Sequence, residues 1–304
     1  MFTTIGTSRH ISRGGKQRLA QWVIGWSALL VMGVGLAAAD PVSPLPVVAS
    51  FSILGDMVRV VGGDRVTVTT LVGPDSSVHA YAPTPRDIQN VAQARLLVVN
   101  GLGFEGWMER LVQASGFKGH LVTGSAGIKP LDHDPHAWQD LNNGMIYAAN
   151  ISRALADVDP QHATHYQRAG EAYMATMSRL DAEIRQRLAA LSPQRRKVIT
   201  SHDAFGYFAV AYGVTFLSPL GGGSEGEVTA TNLARMIRQV RHEGVKALFV
   251  ENISDPRLAQ RIAQETGAKI GGKLYSDALS AADGPAATYL ELFRHNVGTL
   301  LAAM

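Results

Sequence analysis

Three histidines and one aspartate in this 304-residue chain sit where a polar side chain can reach a bound ligand: His79, His136, His202 and Asp277. His79 lies in Asp75-Ser-Ser-Val-His79-Ala-Tyr-Ala-Pro83, after an alternating run that reads as a strand. His136 lies in Asp132-His-Asp-Pro-His136-Ala-Trp138, an irregular stretch ahead of a helix. His202 directly follows a short apolar strand, and Asp277 follows the run Ile270 to Tyr275. A histidine in a loop is as a rule solvated or capping, and groups this far apart make no local motif. These four are singled out by position, because ligands of open parallel sheets bind beyond the carboxyl ends of the strands. Three imidazoles and a carboxylate from separate loops suit Zn²⁺, and Mn²⁺ or Fe²⁺ also accept such a mixture.

The elements that must carry them come in two similar sets. Val47 to Ser50 reads as a strand, Ile53 to Val61 as a helix ending at Gly62-Gly63, and Val66 to Val72 as a second strand. After the loop Gly73 to Pro85, a helix opens at Thr84-Pro85 and runs to about Ala92, and Leu96 to Asn100 is a third strand. The order then repeats: strand Lys197 to Thr200, helix Ala204 to Tyr212, strand Thr215 to Ser218, loop Gly221 to Thr231, helix Asn232 to Glu243, strand Ala247 to Glu251. Short apolar strands alternating with helices imply parallel sheets. Val47-Val48-Ala49-Ser50 matches Val198-Ile199-Thr200-Ser201, and Leu97-Val98-Val99-Asn100 matches Leu248-Phe249-Val250-Glu251.

Between the sets, Tyr166, Tyr173, Met177, Leu180, Ile184, Leu188 and Leu191 trace one face of a helix spanning Pro160 to Leu191. Asp159 is a candidate N-cap, with Pro160 at the first helical position and Ser192-Pro193 as a stop. At 1.5 Å per residue the rod is roughly 45 Å long. The expected fold class is α/β: two similar parallel-sheet α/β lobes, residues 40–158 and 193–304, joined by one long rigid helix, 159–192. A cleft is expected between the lobes, and two of the four candidate residues come from each half.

Residues 1–39 read as a signal peptide. Arg9, Arg13, Lys16 and Arg18 precede an apolar run from Leu19 to Leu36 and the small residues Ala37-Ala38-Ala39. The run is long for that role, so a retained N-terminal anchor is the competing reading. Four of the 28 basic residues and none of the 25 acidic ones lie in that leader, so the remainder has 24 against 25 and a net charge of −1. The basic character of the whole chain is therefore no argument for nucleic acid. With no cysteine there is no disulfide, no thiolate ligand and no thiol to carry a lipid. The expectation is a periplasmic protein that is not a lipoprotein.

The chain resembles the periplasmic metal-binding subunits of zinc and manganese ABC importers. The resemblance rests on Ser50-Phe51, Gly62-Gly63-Asp64, His79-Ala-Tyr-Ala-Pro-Thr-Pro85, Asn100-Gly-Leu-Gly-Phe-Glu-Gly-Trp107, Asp134-Pro-His-Ala-Trp138, His202-Asp-Ala-Phe-Gly-Tyr-Phe208, Phe249-Val-Glu251 and Leu274-Tyr-Ser-Asp277. It implies two α/β lobes on a rigid spanning helix and a metal site in the interlobe cleft, with ligands at His79, His136, His202 and Asp277. It also implies a monomer that delivers its ion to a membrane-embedded permease with a cytoplasmic ATPase. The third ligand in this family is commonly histidine in zinc receptors and glutamate in manganese receptors, so His202 favours Zn²⁺. The long His- and acid-rich loop of many zinc receptors is represented here by only His120, His133 and His136. Where the family usually has Glu-Pro, this chain has Glu227-Val228.

Other features compete. Gly101-Leu-Gly103-Phe-Glu-Gly106 fits the dinucleotide fingerprint, but Leu121 to Gly127 offers no acidic residue for a ribose. Gly221-Gly222-Gly223 lacks the Gly-Lys-Ser/Thr of a phosphate loop. His133 is a candidate extra ligand, and His162, His165, His242 and His295 read as surface groups on helices. Asp134, Asp203 and Glu251 are candidate acceptors that orient a ligand imidazole. A zinc metallohydrolase is the rival from another class, but no His-Glu-x-x-His is present and four protein ligands leave little room for a reactive water. A sugar or amino-acid receptor on a similar two-lobed fold is a third reading. The expectation is a binding protein and not an enzyme.

Overall fold

The structure, a computed structural model, describes residues 43–218 and 229–304. The leader, the glycine run Gly221–Gly223 and Glu227-Val228 lie outside the described residues. The first half contains β1 (Leu45–Phe51), α1 (Ser52–Gly62), β2 (Val66–Val72), α2 (Pro85–Gln93), β3 (Leu96–Val99), α3 (Met108–Ser115), β4 (His120–Thr123) and α4 (Leu141–Val158). After α5 (Ala163–Ala189), the second half contains β5 (Lys197–Ile199), α6 (Gly206–Tyr212), β6 (Thr215–Leu217), α7 (Ala230–Glu243), β7 (Ala247–Glu251), α8 (Pro256–Thr266), β8 (Lys269–Leu274) and α9 (Tyr289–Ala303).

Each half holds a four-stranded parallel sheet, and the orders correspond: β2-β1-β3-β4 and β6-β5-β7-β8. The inner strands β1 and β3 are almost wholly buried because helices cover both faces, the usual setting of a parallel sheet. The fourth strand of the first sheet escapes the sequence reading for the complementary reason. His120–Thr123 is an edge strand whose Leu121 is exposed, so it has no apolar run to betray it.

The long helix buries the face read from its periodicity: Tyr166, Tyr173, Met177, Leu180, Ile184 and Leu188 are all in the core. Its start differs from expectation. Pro160–His162 form a 3₁₀ turn, and α5 begins at Ala163. The Asp159 carboxylate accepts from the His162 ring at 2.7 Å and from the Tyr166 hydroxyl at 2.6 Å, rather than from a backbone N–H. His162 is thus an anchor of the helix start, and His295 bonds the Lys273 carbonyl at 2.9 Å, whereas His165 and His242 are exposed.

α5 packs against α1 and α4 of the first half and against α6 and α9 of the second. A polar node pins the second group. The Tyr212 hydroxyl donates to Asp181 on α5 at 2.9 Å and accepts from the Leu141 backbone N–H at 3.3 Å. Arg185 pairs with Asp181 at 2.8 Å and lies 5.0 Å over the Tyr212 ring. One hydrophobic cluster runs from β1 through α5 to Phe208, Phe249 and Phe293, while a smaller one around Leu248 and Ile262 belongs to the second half alone. No helix among the described residues is long and apolar enough to cross a membrane.

Because Ile184 is 1% exposed on the shared face, Ile184→Ala should destabilise the fold by about 2–5 kcal/mol. Glu183→Ala, one position round on the exposed face, should stay within ~0.5 kcal/mol. Urea unfolding of both variants checks this, and equal midpoints would contradict the packing.

Candidate metal centre

His79 is carried in the long loop after β2. Downstream, α2 opens with a capping box of Thr84 and Asp87 and with Pro85 in its first turn. The Tyr81 hydroxyl donates to Asp87 at 2.7 Å, and the Trp107 indole N–H donates to the Val78 carbonyl at 3.0 Å. The His79 ring meets the edge of Phe104 with centroids 4.9 Å apart. A surface cavity of about 300 Å³ lined by His79, Tyr81, Phe104, Trp107 and Arg110 leads to it.

His136 follows a tight turn at Leu131–Asp134. Asp134 accepts from the His136 backbone N–H at 2.8 Å and holds its Nδ1 at 2.7 Å, which turns Nε2 inward. Asn100 fixes the preceding carbonyl, that of Pro135, at 2.9 Å, and Tyr147 in turn donates to Asn100 at 2.5 Å. Gly206 of α6 lies against the Asp134 carboxylate so closely that any β-carbon there would strike it.

His202 stands in the bend after β5. Glu251, the last residue of β7, accepts the backbone N–H groups of Ser201 and His202 on Oε1 at 2.8 and 2.9 Å. Its Oε2 lies 2.5 Å from His202 Nδ1. Asp203 is half-buried beside it.

Asp277 belongs to the loop after β8 but is gripped by the first half. The carbonyl of Ser276 accepts from the Trp138 indole at 2.9 Å and the Gln139 amide at 2.8 Å. The Leu279 N–H donates to Ser52 Oγ at 2.9 Å. On its own side, Asn296 of α9 brackets the Tyr275 backbone at 2.9 and 2.7 Å.

The four residues named from the sequence meet at one point. A ligand atom from each of His79, His136, His202 and Asp277 lies within 4.8 Å of all the others. Asp277 Oδ2 is 3.4 Å from His79 Nε2 and 3.5 Å from His202 Nε2, and Oδ1 is 3.5 Å from His136 Nε2. Asp277 is fully buried, and neither of its carboxylate oxygens has a hydrogen-bond partner, nor do the Nε2 atoms of His136 and His202. Buried polar atoms are as a rule satisfied, so this set of inward lone pairs is what a cation would satisfy. His133 is exposed on the turn and is not among them.

Charge is balanced inside the cluster. Burial by itself pulls the His136 imidazolium down, but the Asp277 charge and the Asp134 carboxylate outweigh it and raise the group to about 9. Burial also opposes protonation of His202, and Glu251 together with Asp277 reverses that, holding it well above the ordinary imidazole value. Burial would raise Asp277, yet His136 and His202 hold it well below the usual carboxylate range.

Of the orienting acceptors read from the sequence, Asp134 and Glu251 contact ligand imidazoles. Glu105 went unread. It accepts from Ser50 Oγ and Asn100 N–H, both at 2.6 Å, and from Gly101 N–H at 3.1 Å. The same contacts explain the glycine motif. Gly101 and Gly103 take positive φ to form a tight turn, and Glu105 occupies backbone donors that a pyrophosphate would require.

The family described as zinc-uptake complex component A, periplasmic, matches residues 47–303. The iron-binding protein YfeA of Yersinia pestis is 34% identical over 274 residues, which is 86% of this chain and 87% of that one. The solved Mn-bound periplasmic metal binding protein of Candidatus Liberibacter asiaticus superposes with a TM-score of 0.77 at 32% identity, over 84% of this chain and 97% of that one. The periplasmic zinc binding protein TroA of Treponema pallidum superposes with a TM-score of 0.81 at 27% identity, over 86% and 99%.

Two consequences follow for metal-free protein. Since folded His136 keeps its proton above the unfolded value, it contributes stability that is complete below about 6.5 and lost as pH rises towards 9. Asp134→Asn removes one of the charges responsible, so the His136 midpoint in an NMR titration should move down. A midpoint that stays near 9 would show that Asp134 has no electrostatic role.

Proposed function

This chain belongs to the family of periplasmic zinc-uptake complex components, metal-binding subunits of ABC transporters, and from that premise we propose that it captures Zn²⁺ and passes it to a membrane permease. His79, His136, His202 and Asp277 are the proposed ligands. The observation that carries the reading is the convergence of one ligand atom from each within 4.8 Å of all the others, with Asp277, His136 and His202 buried and their inward atoms unpartnered. Zinc–nitrogen bonds of about 2.0–2.1 Å in a tetrahedron set ligand atoms about 3.3–3.4 Å apart. Asp277 Oδ2 lies 3.4 Å from His79 Nε2 and 3.5 Å from His202 Nε2, close to that spacing, and its Oδ1 lies 3.5 Å from His136 Nε2.

The nitrogen-rich donor set supports Zn²⁺ as the cargo. Mn²⁺ or Fe²⁺ is the second reading, favoured by the named ligands of the iron-binding relative and the Mn-bound neighbour. Hydrolysis would need an open coordination position and a nearby base. The carboxylates beside the ligands, Asp134 and Glu251, are already engaged with their imidazoles. Residues 1–39 act as the export leader in this reading, and the mature chain works as a periplasmic monomer. With α5 packed against both halves, lobe motion reduces to a small tilt or a loop rearrangement.

Protons stand in for the ion when it is absent. From unperturbed histidines, affinity would fall as pH drops through about 6. The raised His136 and His202 move that competition upward. Apparent Zn²⁺ affinity should keep rising between pH 6 and 9, with about one to two protons released per ion at pH 7.5. Calorimetry in buffers of different ionisation enthalpy measures this, and zero release would exclude displacement of imidazolium protons.

His202→Glu should shift preference towards Mn²⁺. It also places a carboxylate against Glu251 and so weakens both metals, and Glu251→Gln should restore part of the loss. Competition titrations decide the matter, and an unchanged Zn²⁺ to Mn²⁺ ratio would refute the assignment of selectivity to position 202. The direct test of the whole reading is elemental analysis of protein taken from its native compartment, followed by that competition with the unmodified chain.

A further inference from the structure

Asp75 makes more contacts across the cleft than its exposed position suggests. It occupies the turn after β2, four residues before His79, with a left-handed φ of 50°. Its backbone N–H donates to the Leu279 carbonyl at 2.9 Å. One carboxylate oxygen accepts from the Asn252 amide at 3.0 Å, and the other accepts from the Ala281 N–H at 3.3 Å. Asn252 directly follows β7, whose last residue Glu251 holds His202. Leu279 and Ala281 follow Asp277 by two and four positions. A single first-half side chain thus ties the His79 loop to the segments behind the two second-half residues of the site, His202 and Asp277.

The remaining bonds that fix the Asp277 loop on the first half, to Ser52, Trp138 and Gln139, are buried. The two made by the Asp75 carboxylate are exposed, so water can replace them during an opening, and they are the part of the closure that gives way first.

We propose that Asp75 is a positioning residue for ion retention: its carboxylate latches the two ligand loops together and sets how long the bound ion stays. This rests on the metal-receptor reading above. The latch touches no ligand atom, so it governs the rate of opening and leaves the coordination itself unchanged. An ion escapes when the loops part, and a chain without the latch parts them more often.

The variant of choice is Asp75→Gly. Glycine suits the positive φ and keeps the N–H bond to Leu279, so only the carboxylate is lost. Asp75→Asn tolerates the same φ and retains one acceptor for Asn252, while Asn252→Ala removes the partner instead. Release of Zn²⁺ to excess chelator is followed by stopped flow, and Co²⁺-loaded protein reports the coordination sphere through its absorption spectrum. Asp75→Gly should release Zn²⁺ about tenfold faster or more, with an unchanged Co²⁺ spectrum. Asp75→Asn and Asn252→Ala should fall between it and the unmodified chain. Combining Asp75→Gly with Asn252→Ala should give less than the product of the two single effects, because they share one bond, while Asp75 also bonds Ala281 and Asn252 also donates to the Ala278 carbonyl at 3.2 Å.

Release within twofold of the unmodified rate in Asp75→Gly overturns the latch, and so does faster release accompanied by an altered Co²⁺ spectrum. Should Asp75→Gly fail to fold, Asn252→Ala decides the question alone by the same two readouts. If the unmodified chain binds neither Zn²⁺ nor Co²⁺, it is the receptor reading that fails. If it binds both and the variants behave like it, only the latch fails.

Discussion

A carboxylate with no exposure to solvent costs several kcal/mol unless opposite charge stands beside it, and Asp277 is such a group. The surrounding architecture supplies that charge. Imidazole nitrogens approach it from three separate loops, and two of those rings are themselves backed by a second carboxylate, Asp134 for His136 and Glu251 for His202. The arrangement alternates anion, cation and anion outward from the centre. That alternation accounts for the opposed shifts, with the two imidazoles raised and Asp277 lowered. Removing the protons without supplying another cation would leave Asp277 buried and uncompensated.

The parallel sheets explain how residues so distant in sequence reach one point. All strands of a parallel sheet end on the same edge, so a loop leaving any of them can contribute. In both halves a residue at the end of the third strand supports a histidine segment: Asn100, directly after β3, bonds the carbonyl just before His136, and Glu251, the last residue of β7, bonds His202 itself. The internal duplication is thus visible in the supporting contacts as well as in the strand order. It has diverged in chemistry, since one copy uses an amide against a backbone carbonyl and the other a carboxylate against an imidazole.

The succession of strands and helices along the chain, the buried face of α5 and the four candidate residues could be read directly, because each leaves a periodic or positional trace. Apolar residues at helical spacing gave α5, and strand-end position gave His79, His136, His202 and Asp277. What stayed hidden depends on tertiary contacts with no local signature. Glu105 sits in a glycine-rich turn that resembles a nucleotide loop, and only the bonds to Ser50 and Asn100 reveal its task. Asp159 looks like a helix cap and instead serves His162 and Tyr166. The edge strand at His120–Thr123 carries too few apolar residues to register.

The division of labour between the halves was also illegible, and it bears on how an ion can be let go. Sequence assigns two ligands to each half, yet Asp277 is held from behind by Ser52, Trp138 and Gln139 of the first half. Mechanically three of the four donors share one platform, and His202 with Glu251 is the contribution that the second sheet makes alone. A helix packed on both halves resists wide opening, but moving one donor of four does not require wide opening. In the proposed metal site, withdrawing His202 by a fraction of a turn of its bend would leave three donors in place. Because the imidazole is tied to Glu251 through both its ring and its backbone, it must move together with the end of β7. A displacement of the end of β7 relative to the first half must also part the exposed Asp75–Asn252 contact, while the buried bonds around the Asp277 loop can stay in place.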